Sequence, residues 1–66
     1  MKLWIARDDD NSLFLYDEKP IKRKNRFTLK WFSHAFKIKS QYFPEVTFEN
    51  SPQEVELKLV DNGINN

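Results

Sequence analysis

Three consecutive acidic side chains are the first residues in this sequence whose types and spacing could do chemistry. Asp8, Asp9 and Asp10 precede Asn11 and Ser12, a run that resembles the start of a calcium loop. Such a loop also needs alternating oxygen ligands, a glycine at its sharp turn and a distant bidentate glutamate. Because the glycine and the spacing are missing, we expect a solvated hairpin turn and no metal.

Catalytic chemistry has little support elsewhere in the chain. Glu54 and Glu56 lie two residues apart, which places them roughly 7 Å apart along a strand, but acid–base work would need that pair inside a cleft. His34 is the single histidine and no nucleophile has a recognisable context beside it. Gly63 is the single glycine, which excludes phosphate loops and dinucleotide fingerprints. We expect no enzyme and no cofactor.

Basic side chains interleaved with aromatic rings form a candidate contact surface for nucleic acid or another partner. Clustered charge of this sign attracts phosphates through counterion release, and exposed rings can stack on bases. The sequence pI of about 8.0, however, is below that of strongly basic nucleic-acid-binding domains. Phe27 and Trp31 also share the parity of Leu29, which favours a core position. The candidate contact residues are Lys19, Lys22, Arg23, Lys24, Arg26, Lys30 and Trp31.

Folding itself offers another use for these charges. Residues 19–42 contain eight lysines and arginines and no acid, whereas both flanking segments are acidic. Opposite charges facing each other across strands contribute about 0.2–1 kcal/mol each. We therefore expect Glu54 and Glu56 to lie beside Arg26 and Lys30, with Glu49 also available to the basic segment.

Length and composition limit the elements that can position these residues. A chain of 66 residues forms one domain, and without cysteine it has no disulfide. Ten aromatic residues supply the apolar mass instead. No apolar run approaches the ~20 residues that span a bilayer, and the first residues do not form a signal peptide. We expect a soluble cytoplasmic protein, with a domain at 1–60 and a disordered tail at 61–66.

The first half of the chain predicts a hairpin over residues 2–16. Residues 2–7 and 13–16 are apolar on both faces, which is typical of interior strands covered on each side. The polar residues 8–12 between them have the composition of a turn. Pro20 and the polar residues that follow it end this unit.

A third strand is predicted at 26–32, where apolar and polar residues alternate again. Residues 31–43 fit both a helix and a strand. Aromatic and β-branched content favours a strand at 34–39, and a helix would lack acidic residues in its first turn. Residues 40–44 fit one short helical turn capped by Ser40.

The second half contains the most regular alternation in the sequence. Val46 and Phe48 alternate with polar residues, and so do the apolar residues of 54–60, which predicts strands at 46–49 and 54–60. Asn50, Ser51 and Pro52 have the chemistry of a turn between them. The expected fold is mainly β, a small single-domain antiparallel sheet of about five to six short strands.

Several motifs along the chain together carry a resemblance to known sequences. They are Leu3-Trp4-Ile5-Ala6-Arg7-Asp8, Tyr16-Asp17-Glu18-Lys19-Pro20, Phe43-Pro44-Glu45-Val46-Thr47-Phe48-Glu49, Pro52 and Glu54-Val55-Glu56-Leu57. In these motifs the sequence resembles a group of short uncharacterised bacterial proteins that are often encoded near phage or other mobile-element genes. The resemblance covers nearly the whole chain except the Lys-Arg-rich segment and the tail. It implies a stand-alone prokaryotic accessory protein, with no activity, cofactor or catalytic residue attached.

The sequence favours two classes of function, and it neither supports nor excludes a third, a small-molecule or inhibitor-type accessory role. The first is non-enzymatic binding, with an unidentified protein or a second copy docking on an exposed strand edge. The alternative is binding of single-stranded nucleic acid by the basic segment 19–39. We expect no membrane and no metal partner in either case.

Overall fold

The computed structural model of this chain describes residues 1–30 and 34–60, which contain six strands and no helix. The mainly β fold expected from the sequence is therefore confirmed. No helix within these described ranges is long and apolar enough to cross a membrane. The strands are β1 (Lys2–Arg7), β2 (Leu13–Tyr16), β3 (Ile21–Lys22), β4 (Phe27–Thr28), β5 (Ala35–Ile38) and β6 (Gln53–Glu56).

Four of the strands form one antiparallel sheet in the order β5-β2-β1-β6. The predicted hairpin is present, because Trp4 of β1 lies opposite Tyr16 of β2 and Arg7 lies opposite Leu13. A separate two-stranded ribbon joins β3 and β4. β1 lies between β2 and β6 in the four-stranded sheet.

Apolar side chains cover both faces of this sheet. On one face Ile5 and Leu13 pack with Val46, which comes from the long turn region before β6. On the other face Ala6 and Tyr16 pack with Phe27 of the β3–β4 ribbon. Because neighbouring side chains of a strand point to opposite faces, one apolar strand supplies both clusters.

The structure resolves the ambiguity at 31–43 in favour of a strand where it describes the chain. β5 lies within the predicted range 34–39 and pairs with β2, so that Phe36 faces Leu15. Residues 40–44 form turns rather than a helix, with the Tyr42 N–H donating to the Lys39 carbonyl at 3.0 Å. The part of the prediction that falls on 31–33 lies outside the described residues, as does the tail at 61–66.

The strand predicted at 46–49 is wrong. Thr47 and Asn50 bond locally instead, since the Thr47 N–H donates to Asn50 Oδ1 at 2.8 Å and the Asn50 N–H donates to Thr47 Oγ1 at 3.1 Å. The Asn50 side chain also donates to the Glu45 carbonyl at 2.9 Å. These local bonds satisfy the backbone in a turn and compete with a strand ladder.

Two other predicted strands are shorter than expected. Within the described part of 26–32 only Phe27–Thr28 form a strand, and the alternation at 54–60 yields Gln53–Glu56. Leu57 makes one further ladder bond, from its N–H to the Met1 carbonyl at 2.7 Å. Among the described residues no strand lies opposite Leu59, which is fully exposed. Alternation without a partner strand is not enough to form a strand.

The predicted partner of the last strand is also wrong. β6 lies beside β1, where Glu56 faces Lys2 and Glu54 faces Trp4. Glu54 Oε2 is 3.6 Å from Lys2 Nζ, in place of the expected pairing with Arg26 or Lys30. In this position Val55 of β6 packs against the cluster of Ile5, Leu13 and Val46.

Candidate interaction site

Two lysines of the basic segment contact aromatic rings of the fold. Lys22 Nζ lies 4.4 Å from the centre of the Phe48 ring and donates to the Phe48 carbonyl at 2.8 Å. Lys19 Nζ lies 5.3 Å from the centre of the Trp4 ring. Both ammonium groups therefore face rings that also belong to the core, an arrangement worth about 0.5–1 kcal/mol at exposed sites.

The two predicted arginines, Arg23 and Arg26, also interact with other groups of the fold. Arg23 Nε donates to Thr28 Oγ1 at 3.1 Å, across the β3–β4 ribbon. Burial raises the pKa of the Asp8 carboxyl above its usual value, and the nearby Arg26 charge has a smaller, lowering effect. Lys24 and Lys30 are exposed, and Trp31 lies outside the described residues. Several of the predicted contact residues thus already have partners within the fold, whereas Lys24 and Lys30 remain exposed.

Phe27 within the basic segment and Phe48 outside it face the core. Phe27 is only 5% exposed, and its ring meets that of Phe48 edge to face, with centroids 5.7 Å apart. Leu29 packs against the same cluster. The parity argument from the sequence was therefore right for Phe27, whose ring is not available for stacking on a base.

The aspartates of the acidic turn accept hydrogen bonds from backbone N–H groups. Asp8 Oδ1 accepts the Phe27 N–H at 2.9 Å, which ties the turn to β4. Asp10 Oδ1 accepts the Ser12 N–H at 3.0 Å, and this bond lowers the pKa of Asp10. Asn11 has a φ of 79°, which asparagine tolerates in turns. Within residues 1–30 and 34–60 no group of three or more His, Cys, Asp or Glu side chains could hold a metal ion.

Arg7 organises the long turn region before β6, and sequence reasoning missed it. Its side chain is buried, and Nε donates to the Val46 carbonyl at 2.6 Å. Its two terminal nitrogens donate to the carbonyls of Ser40 and Tyr42, each at 2.9 Å, and to that of Phe43 at 3.1 Å. A guanidinium suits this task because it presents five donors in a fixed plane.

The surroundings of Arg7 show how closely this region is bound to the sheet. The Arg7 N–H donates to Ser51 Oγ at 3.0 Å, so both ends of the turn region meet β1 at one residue. Phe43 has a φ of 52°, which is unusual for a bulky residue, and its carbonyl accepts both Arg7 and the Val46 N–H. The signal in the sequence was a basic residue at the end of an apolar strand, on the same face as Ile5.

A depression of about 420 Å³ lies beside this arginine, lined in part by Asp9, Gln41, Pro44 and Glu49. The Arg7 guanidinium is already bonded to carbonyls, so it is not available to bind an anion in that space. Among the residues that line the depression, none offers a free cationic group for an anion.

The two outer strands of the sheet present backbone groups that the described residues do not pair. The Met1 amino group donates to the Leu57 carbonyl at 3.2 Å, and the Leu57 N–H donates to the Met1 carbonyl at 2.7 Å. Met1 and Leu57 therefore form a doubly bonded pair. Because bonded and non-bonded pairs alternate along an antiparallel ladder, Val55 also bonds toward β1. The N–H and C=O of Glu54 and Glu56 then point away from the sheet.

The same reasoning applies to β5 on the opposite side. The Asp17 N–H donates to the His34 carbonyl at 3.2 Å, and the His34 N–H returns to Asp17 Oδ1 at 2.9 Å. The latter bond holds the pKa of Asp17 below its usual value. By alternation Phe36 bonds toward β2, so the backbone groups of Ala35 and Lys37 point outward. No strand among the described residues lies beyond β5 or β6.

Exposed apolar side chains accompany both edges. Phe36 on β5 is 61% exposed and Leu57, just after β6, is 57% exposed. Their strand partners are Leu15 and Met1, which places both side chains on the sheet face that contains Ile5. Each edge therefore combines unpaired backbone groups with an apolar side chain.

Comparison with protein-family models, with curated proteins and with solved structures finds no match for this chain.

Proposed function

We propose that this chain is a non-enzymatic interaction protein that adds a partner strand to an exposed edge of its four-stranded sheet. The observation that carries the proposal is the pair of open edges at β5 and β6, with outward backbone groups at Lys37, Glu54 and Glu56. An extended segment laid along such an edge gains main-chain hydrogen bonds, and flanking side chains supply specificity. Phe36 and Leu57 offer the apolar contacts.

The setting proposed for this activity is the cytoplasm of a bacterium, with a link to its phage or other mobile elements. The resemblance of residues 3–8 and 43–57 to short bacterial proteins supports this setting. The absence of cysteine is consistent with a reducing compartment.

The experiment is a selection of random extended peptides displayed on phage, followed by amide exchange on the complex. Slower exchange at the outward amides of Lys37, or of Glu54 and Glu56, is expected. Lys37→Pro and Glu56→Pro remove an N–H that points away from the sheet, so each should abolish binding at its edge while the sheet stays folded. Lys37→Ala and Glu56→Ala keep the N–H and serve as matched controls.

Single-stranded nucleic acid is the second candidate, favoured by the exposed Lys24 and Lys30. Titration with a random-sequence oligonucleotide at increasing salt separates the two candidates. Binding that weakens steeply with salt and is lost in Lys24→Glu and Lys30→Glu would replace the edge proposal. Peptides that protect amides away from both edges would also overturn it.

A further inference from the structure

The two open edges of the sheet carry opposite charges. Lys37 lies on β5 and Lys39 is the first residue after that strand, whereas β6 carries Glu54 and Glu56. Lys37 faces Phe14 and Glu54 faces Trp4, so these charges lie on the same face of the sheet. The opposite face carries Phe36 and Ile38 at one edge and Val55 and Leu57 at the other.

Charge disfavours pairing of identical edges. Two β5 edges would bring the lysines of both copies together, and two β6 edges would bring the glutamates together, and like charges directly opposite each other are destabilising. Lysines on an edge normally prevent strand pairing for this reason. They do not prevent it when the approaching edge is acidic, as β6 is.

Strand direction and backbone phase also match between the unlike edges. Every neighbouring pair in β5-β2-β1-β6 is antiparallel, so β5 of one copy and β6 of a copy in the same orientation run antiparallel. The outward backbone groups belong to Lys37 on one edge and to Glu56 on the other. Placing these two residues opposite each other makes a bonded pair.

One register then satisfies both faces at once. With Lys37 opposite Glu56, Lys39 lies opposite Glu54, and both pairs have opposite charge. On the other face Phe36 meets Leu57, both of which are more than half exposed in the single chain. Ile38 meets Val55 in the same register. The Lys39 carbonyl already accepts the Tyr42 N–H, so the backbone ladder is centred on Lys37 and Glu56.

We propose that the strand partner of this protein is a second copy of itself, with β5 of one copy paired antiparallel to β6 of the next in the register Lys37–Glu56. This inference rests on the proposed function, because it names the partner that an open edge accepts. The contact joins unlike surfaces, and each added copy leaves one β5 and one β6 edge open. Successive copies therefore form an open chain rather than a closed dimer.

Sedimentation velocity over a wide concentration range tests the partner, using wild type, Lys37→Glu, Glu56→Lys and an equimolar mixture of the two variants. Wild-type average mass should rise with concentration. Each variant alone places like charges at every contact. Its association should be weaker than that of wild type by at least about tenfold. The mixture should recover wild-type association, because each variant supplies the edge that the other needs.

Matched controls separate edge pairing from a change of net charge. Lys24→Glu and Glu18→Lys make the same changes of charge at exposed positions away from both edges and should associate like wild type. Circular dichroism and thermal melting establish that every variant is folded.

The outcomes distinguish this inference from the proposal on which it rests. A wild-type chain that stays single at all concentrations, or a mixture that does not recover association, overturns the self-pairing. If selected peptides still protect the β5 or β6 amides in that case, the edge function stands and the partner is another protein. If self-pairing fails in this way and no peptide binds either edge, both proposals fail.

Discussion

At the scale of single residues, Arg7 decides how the chain between β5 and β6 is held. Its buried guanidinium donates to carbonyls on that segment and, among the described residues, has no carboxylate partner. The charge is satisfied by backbone dipoles instead of an ion pair. Several loop carbonyls that would otherwise need water are satisfied by the same group.

Replacing Arg7 by lysine should therefore destabilise the protein despite the retained charge. A lysine offers a single donor group without the planar fork, so most of these bonds are lost. We expect Arg7→Lys to lower the free energy of unfolding by about 2–4 kcal/mol, since bonds to charged groups contribute about 1.5–3 kcal/mol each. Urea unfolding measures this, with Arg23→Lys on the exposed ribbon as the control. Equal stability of the two variants would contradict the role of Arg7.

Tyr16 gives the protein a specific sensitivity to alkali. Burial raises its pKa to about 12, with a smaller contribution from the Asp8 charge. The group is protonated in the fold at a pH where it ionises in the unfolded chain. Its stabilising effect is complete below about pH 10 and is lost as the pH rises from about 10 toward 12.

The corresponding measurement is the free energy of unfolding across this pH range. We expect the free energy of unfolding of wild type to fall by about 2–3 kcal/mol between about pH 10 and pH 12, because one unit of pKa corresponds to about 1.4 kcal/mol. Tyr16→Phe should remove this loss, because phenylalanine has no group that ionises in this range. A Tyr16→Phe protein that loses as much stability as wild type would show that another group is responsible.

At the scale of elements, the placement of β6 beside β1 is the finding that most changes the expected architecture. Charge patterning favoured a basic neighbour for β6, but cross-strand charge pairs contribute only about 0.2–1 kcal/mol each. Burying apolar side chains contributes more, at roughly 1.5–3 kcal/mol for each large one, and beside β1 Val55 of β6 packs against the cluster of Ile5, Leu13 and Val46. β1 therefore recruits β6, and Arg26 stays on the exposed end of the ribbon.

Engineered cysteines test this pairing directly. Lys2 and Glu56 face each other, so Lys2→Cys with Glu56→Cys should oxidise to an intramolecular disulfide in dilute solution. The bridge should stabilise the protein by up to about 4 kcal/mol, as expected for a long closed loop. Arg26→Cys with Glu56→Cys, the pairing suggested by charge, should remain reduced. Rapid bridging of the latter pair would refute the observed strand order.

At the scale of the whole molecule, the sheet is stabilised from both sides. The cluster of Ile5, Leu13 and Val46 lies on one face, and that of Ala6, Tyr16 and Phe27 lies on the other. A chain this small has a thin margin of stability, because a single core rarely supplies more than about 3–5 kcal/mol at this size. Both clusters are therefore needed for one cooperative fold.

Small truncations on either face should lower the same unfolding transition. We expect Ile5→Val to cost about 0.5–1.5 kcal/mol. Phe27→Leu on the opposite face should also move every spectroscopic probe together. Leu59→Ala should change stability by less than about 0.5 kcal/mol, because Leu59 is fully exposed. Separate transitions for the two faces would contradict a single cooperative unit.

Much of the architecture followed from local pattern. The two-faced apolar runs of β1 and β2 and the polar turn between them predicted the hairpin and its burial. Parity placed Phe27 in the core. The strand at 34–39 was preferred over a helix for its aromatic content, and β5 occupies it. Periodicity overestimated the strands at 26–32, 46–49 and 54–60, since it shows which face is apolar but not whether a partner strand is present.

By itself, the sequence determined the β class, the hairpin and the need to cover β1 on both faces, because these depend on the period of side chains along a short segment. Only the tertiary structure decided that β6 pairs with β1, that Arg7 binds the carbonyls of residues 40–46, and that the two open edges carry opposite charges. Those features depend on which distant segments meet. Burial, hydrogen-bond satisfaction and chain connectivity settle that together, and the spacing of neighbouring residues does not encode it.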